Sequence, residues 1–87
     1  MRKRVVVHGR VQGVFFRDST RQRAQAASVA GWVANRPDGT VEAVFEGADE
    51  AVESVVRWMG VGPRGAEVER TEVNDEEPEG LAGFDVR

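Results

Sequence analysis

GWVANRPDGTVEAVFEG, residues 31–47, places two apolar runs on either side of Pro37, Asp38 and Gly39. Proline presets the backbone angle at the second turn position, and aspartate and glycine complete strong turn chemistry. Trp32 and Val33 open a strand before the turn. Thr40 to Glu46 return as the next, with Val41, Ala43 and Phe45 on one face at a two-residue period. The stretch therefore reads as a β-hairpin, with Trp32 and Phe45 as core residues.

Upstream, Arg4 to Val11 is rich in β-branched residues and stops at glycines, which predicts a first strand followed by a loop over Gly9 to Gly13. From Phe16 to about Ser28 the Arg, Gln and Ala content favours helix, and Phe16, Thr20, Ala24 and Ala27 share a face. Downstream, Ala48 to Gly60 carries Ala51, Val52, Val55, Val56 and Met59 as an apolar stripe at helical spacing, with Asp49 and Glu50 suited to the helix dipole. Gly60, Gly62, Pro63 and Gly65 end that helix. Ala66 to Val73 alternates as a fourth strand, Asn74 to Gly80 reads as an acidic loop with Asp75, Glu76 and Glu77 solvated, and Phe84 to Val86 as a short edge strand. The order is βαββαβ with a C-terminal addition. That predicts an α+β, ferredoxin-like sandwich: an antiparallel sheet with two helices on one face.

The chain has 87 residues, 40% hydrophobic and 31% charged, which is the composition of one small globular domain over residues 1–87. The absence of cysteine excludes disulfides, thiolate metal sites and a cysteine nucleophile, and the single histidine excludes a multi-histidine metal site. His8, on the first strand beside the loop, is read as structural. No signal peptide and no apolar run approaching a membrane span is present, so the expected setting is soluble and cytoplasmic. Residues 1–41 hold eight basic and two acidic side chains, whereas residues 42–87 hold four and thirteen. This polarity points to an anion site built from the first half, while the overall acidity argues against broad nucleic-acid binding.

GRVQGVFFR, Gly9 to Arg17, sets two glycines and an arginine at a strand-to-helix junction. Glycines let a chain turn its amides inward, the helix N-terminus adds free N–H groups, and Arg17 adds a fork of charged donors that matches two phosphate oxygens. The stretch is neither a Walker A loop nor a dinucleotide fingerprint. By residue type alone it fits a tight connection with a surface arginine equally well. Asn35, at the end of the second strand, offers one acceptor and two donors without charge. Beside a phosphate it would orient a water for in-line attack; otherwise it simply starts the turn. Thr40 is a candidate to support Asn35 by a hydrogen bond, or a strand-favouring residue only. Gln12 either lines the loop mouth or is solvated. Of Phe15 and Phe16, one is expected buried and the other shielding the pocket. Asp18 pairs with a neighbouring arginine or serves the helix dipole.

The two stretches resemble the two signature patterns of the acylphosphatase family, including the interval of 18 positions between Arg17 and Asn35. The resemblance extends to the order of elements, Gly62-Pro63 after the second helix and the Phe84 to Arg87 ending. It implies a five-stranded ferredoxin-like fold and hydrolysis of small acyl phosphates to carboxylate and inorganic phosphate, without metal or cofactor. It further implies that Arg17 binds the phosphate together with the backbone amides of Gly9, Arg10, Val11, Gln12, Gly13, Val14, Phe15 and Phe16, and that Asn35 positions the attacking water. Ala27 and Ser28 depart from the pattern, standing where relatives often carry Leu and a helix-ending Gly. The expected partner is a small acyl phosphate, not nucleic acid or membrane, and the expected state is a monomer. A non-catalytic phosphate-binding domain, like those embedded in hydrogenase maturation proteins, is the second reading; the end at residue 87 favours a stand-alone enzyme. RNA binding shares the βαββαβ order, but the Lys/Arg-Gly-aromatic strand motif is missing and the second half is acidic.

Overall fold

The computed structural model describes residues 1–87. Its elements are β1 (Arg2–Arg10), α1 (Phe16–Ala26), β2 (Ala30–Asn35), β3 (Val41–Glu46), α2 (Asp49–Met59), β4 (Glu67–Glu76) and β5 (Phe84–Val86). One sheet runs in the order β4-β1-β3-β2-β5. The first four strands pair antiparallel throughout, and β5 adds beside β2 in parallel, so the completed sheet is mixed. No helix is long and apolar enough to cross a membrane.

The two-residue period sorts each strand between two faces. Val5, Val7, Val33, Val41, Ala43 and Phe45 point to the helices and join Phe16, Ala24, Val52, Val55 and Met59 in one buried cluster. Thr20 lies inside the apolar face of α1 and is satisfied locally, its hydroxyl donating to the Phe16 carbonyl four residues back at 2.8 Å. Trp32 is not in this core. Val33 takes the inward position, so the period turns Trp32 outward. There it is half-buried, with the guanidinium of Arg4 5.5 Å and that of Arg87 4.5 Å from its ring.

The helix-free face is laced with ion pairs. Arg2, buried, reaches Glu76 at 2.9 Å, Glu79 at 3.2 Å and Glu46 at 3.5 Å, and Arg4 pairs with Glu76 and Glu42. These pairs explain two differences from the sequence reading. β1 begins at Arg2 rather than Arg4, and β4 continues to Glu76, so Asn74, Asp75 and Glu76 are strand residues and not part of an acidic loop. Lys3 faces Asp75 and Arg2 faces Glu76 across the ladder, and opposite charges at facing positions favour pairing over fraying. Three of the eight basic side chains of residues 1–41 are thus consumed in these pairs, and Arg2, Lys3 and Arg4 do not serve an anion site. Glu46 also anchors the segment before β5, accepting from the N–H of Glu79 at 2.7 Å and of Leu81 at 2.8 Å. These backbone donors, with Arg2, hold its carboxyl below the ordinary range.

α1 ends at Ala26, two residues before the expected limit. Val29 N–H bonds the Ala24 carbonyl at 2.8 Å and Ser28 N–H bonds the Gln25 carbonyl at 3.1 Å, the crossed pair of a Schellman stop. That motif places Ser28 in the left-handed region, φ 57. Glycine fits there without strain, and Ser28 is exposed, so Ser28→Gly is expected to stabilise the fold by about 0.5–1 kcal/mol. A thermal melt would register a rise of a few degrees; a lower Tm would contradict this account of the helix end.

Candidate active site

The site forms where β1 hands over to α1. The β1–β4 register slips between His8 and Gly9, and Gly9 sits at φ 129 so close to β4 that a Cβ would fall 2.1 Å from the Glu67 carbonyl oxygen. Only glycine tolerates that approach. Beyond it Val11 is buried as an anchor, while Gly13 at φ 74 and Phe15 at φ 59 turn the chain into α1. Phe15 is a bulky residue in a conformation that costs a non-glycine about 1–2 kcal/mol. The N–H groups of Gln12, Gly13, Val14 and Phe15 make no hydrogen bond within the protein, and no side chain caps α1. A row of free donors therefore runs into a free helix N-terminus, which is the arrangement that favours anions.

Val11, Gly13, Phe15, Phe16, Arg17 and Asn35 line one cavity of about 400 Å³, joined by Asp18 and Val86. Arg17 and Asn35 are thus brought together from α1 and the end of β2. Arg17 is half-buried; its one side-chain hydrogen bond within the protein runs from Nη1 to the backbone oxygen of Arg87 at 3.0 Å, and no Asp or Glu side chain pairs with it. The neighbouring carboxylate, Asp18, is engaged by Arg21 at 2.7 Å and by Gln22 at 3.1 Å, and does not pair with Arg17. Asn35 is exposed and its side-chain amide is likewise unengaged. Of the two aromatics, Phe16 is buried against Trp58, with ring centroids 5.6 Å apart, and Phe15 stands open.

The remaining candidates lie outside the cavity lining. Arg10 is exposed at the end of β1, Val14 is half-buried against the core, and His8 pairs with Glu72 on the helix-free face. The Thr40 hydroxyl bonds Asp38 at 2.6 Å rather than Asn35, because the intervening turn folds the Asp38 carboxylate back onto Thr40. With the Thr40 N–H, this contact holds the Asp38 carboxyl below its usual range.

Gln12 supplies what sequence reading left undecided. Its side-chain Nε2 donates to the carbonyls of Arg36 at 2.8 Å and Thr40 at 3.0 Å, tying the loop to the hairpin that carries Asn35. Gln12→Ala is expected to release this tie and lower unfolding stability by about 1–2 kcal/mol in a urea titration, with increased amide exchange at the turn. Unchanged stability and exchange would show that the tie is dispensable. Val86 was also missed; it reaches the cavity only because β5 adds beside β2.

A family model described as acylphosphatase matches residues 3–86. The acylphosphatase of Rubrobacter xylanophilus is 61% identical over 87 residues, covering 99% of this chain and 79% of its own. Among solved structures, an acylphosphatase from Bacillus subtilis superimposes with a TM-score of 0.94 at 37% identity, covering 99% of this chain and 97% of that one. Another from Coxiella burnetii gives 0.95 at 36% identity, with 99% and 90% covered. Fold and relatives together define this chain as a hydrolase. It belongs to the acylphosphatase family.

Proposed function

We propose that this chain hydrolyses the carboxyl–phosphate bond of small acyl phosphates by direct attack of water, without metal or cofactor. One observation carries the reading: an arginine with no Asp or Glu side chain paired to it and an unengaged asparagine line the same cavity as a run of free backbone N–H groups. In this mechanism the loop amides and Arg17 hold the phosphoryl oxygens, where charge accumulates as a loose transition state forms. Asn35 accepts a hydrogen bond from the water and orients it in line. The water oxygen bonds to phosphorus, the bond from phosphorus to the bridging oxygen breaks, and the carboxylate departs with that oxygen and its electron pair. The proton passes to a phosphate oxygen. A carboxylate is a weakly basic leaving group, so the step needs no general acid.

Residues 1–87 act in this reading as one domain, supported by a buried cluster that draws on every element except β4. The test is hydrolysis of benzoyl phosphate by purified protein, with and without chelator, and with inorganic phosphate as a competitor. Chelator-resistant turnover inhibited competitively by phosphate is the expected result. A folded protein that binds phosphate and releases no product would instead be a binding domain.

A further inference from the structure

Four large apolar side chains stand exposed on this chain: Phe15, Val61, Val73 and Val86. Two of them, Phe15 and Val86, line the cavity that holds Arg17 and Asn35, although they come from the residue just before α1 and from β5. Phe15 is 84% exposed, so its ring is not held by the core. Phe15 stands at the N-cap of α1, its carbonyl accepting from the Ser19 N–H at 3.0 Å, but its phenyl ring makes no capping bond and so is not needed for that role. It occupies the left-handed region, φ 59 and ψ 27, where glycine is preferred and where Gly13, two residues earlier, supplies one. A large aromatic kept in a strained conformation, with an open face at the rim of a cavity, is explained by contact with what enters that cavity.

The polar donors of the site converge on the phosphoryl end of a substrate, and the acyl group must extend from it toward the rim. We infer that Phe15, together with Val86, contacts the apolar part of the acyl group and sets the substrate class as acyl phosphates with aromatic or branched apolar acyl groups. This rests on the proposed hydrolysis at Arg17 and Asn35. Aromatic rings gain from offset or edge contact with a phenyl face, and an apolar side chain beside it removes further surface from water. An acetyl group is too small to gain much from either.

The experiment compares kcat/KM for benzoyl phosphate and acetyl phosphate in the full chain, in Phe15→Asn and in Val86→Thr. Asparagine accepts the left-handed conformation, so Phe15→Asn removes the ring while keeping the backbone's preference. The benzoyl-to-acetyl ratio is expected to fall about tenfold in Phe15→Asn and severalfold in Val86→Thr, mainly through KM for benzoyl phosphate. An unchanged ratio overturns the inference, including the case where both substrates slow together, since Phe15 would then serve loop conformation alone. A wild-type chain that hydrolyses neither substrate removes the hydrolysis reading itself, and this inference with it. Active wild type with an unmoved ratio removes only the assignment of Phe15 and Val86.

Discussion

Arg17→Ala is expected to lose phosphate binding and turnover together, whereas Asn35→Ala loses turnover and keeps phosphate. The two residues share a cavity but differ in what they offer an anion. Arg17 has no Asp or Glu side chain paired to it, and a guanidinium forks onto two phosphate oxygens in ground and transition states alike. Its loss should lower kcat/KM by about 10³-fold or more and raise the inhibition constant for phosphate sharply. Asn35 is neutral, and its proposed partner is the water rather than the phosphoryl group. Its removal should lower kcat by about 10²–10³-fold with the phosphate inhibition constant nearly unmoved. Steady-state kinetics with phosphate inhibition read both quantities. An Asn35→Ala protein that turns over at the wild-type rate would end the water-positioning role, and an Arg17→Ala protein with normal phosphate affinity would end the cradle.

Gly31→Ala should be the most damaging small substitution in the sheet. Gly31 lies in β2 at φ 140, and a Cβ there would stand 1.8 Å from the Val44 carbonyl oxygen and 2.8 Å from its carbon. Both obstacles are backbone of the partner strand, so no side chain can swing aside. The Gly31 N–H also bonds the Gly83 carbonyl at 2.9 Å, so displacing this residue pulls on the segment leading into β5. A clash of this kind with positive φ costs about 4 kcal/mol or more, a large share of the roughly 5–15 kcal/mol that holds a small domain. The expected result is a chain largely unfolded at room temperature, or a Tm lowered by about 20 °C, in circular dichroism. A melt within a few degrees of wild type would contradict this close approach.

The helices and the hairpin were legible because their signals are local: Pro37, Asp38 and Gly39 make a turn wherever they stand, and Val52, Val55 and Met59 repeat at helical spacing. What was not legible depends on partners far along the chain. Asp75 and Glu76 look solvated until Lys3 and Arg2 are seen opposite them. Gln12 gave no signal because its acceptors are backbone carbonyls 24 and 28 positions away, on residues whose types say nothing about them. Trp32 was misread for a different reason. The alternation through Val33 already turned it outward, but its size suggested burial, and only the flanking Arg4 and Arg87 show how an outward tryptophan is covered. At the site, residue types alone left Arg17 and Asn35 ambiguous. It took the family patterns to join them, and the fold brings them into one cavity.

The position of β1 between β3 and β4 has a consequence in time. Arg2 meets Glu46 and Glu76 across separations of 44 and 74 residues, so the central strand gains its neighbours only after two long closures of the chain. Each closure costs entropy before any pairing repays it. A chain with this connectivity folds on the slower scale of mixed sheets, while the β2–β3 hairpin and the helices form locally and early. The ladder from Arg2 and Arg4 to Glu42, Glu46 and Glu76 forms only once both closures have been made. Pairs that tighten last act on unfolding rather than folding, so weakening this ladder is expected to shorten the life of the finished sheet more than it slows its making.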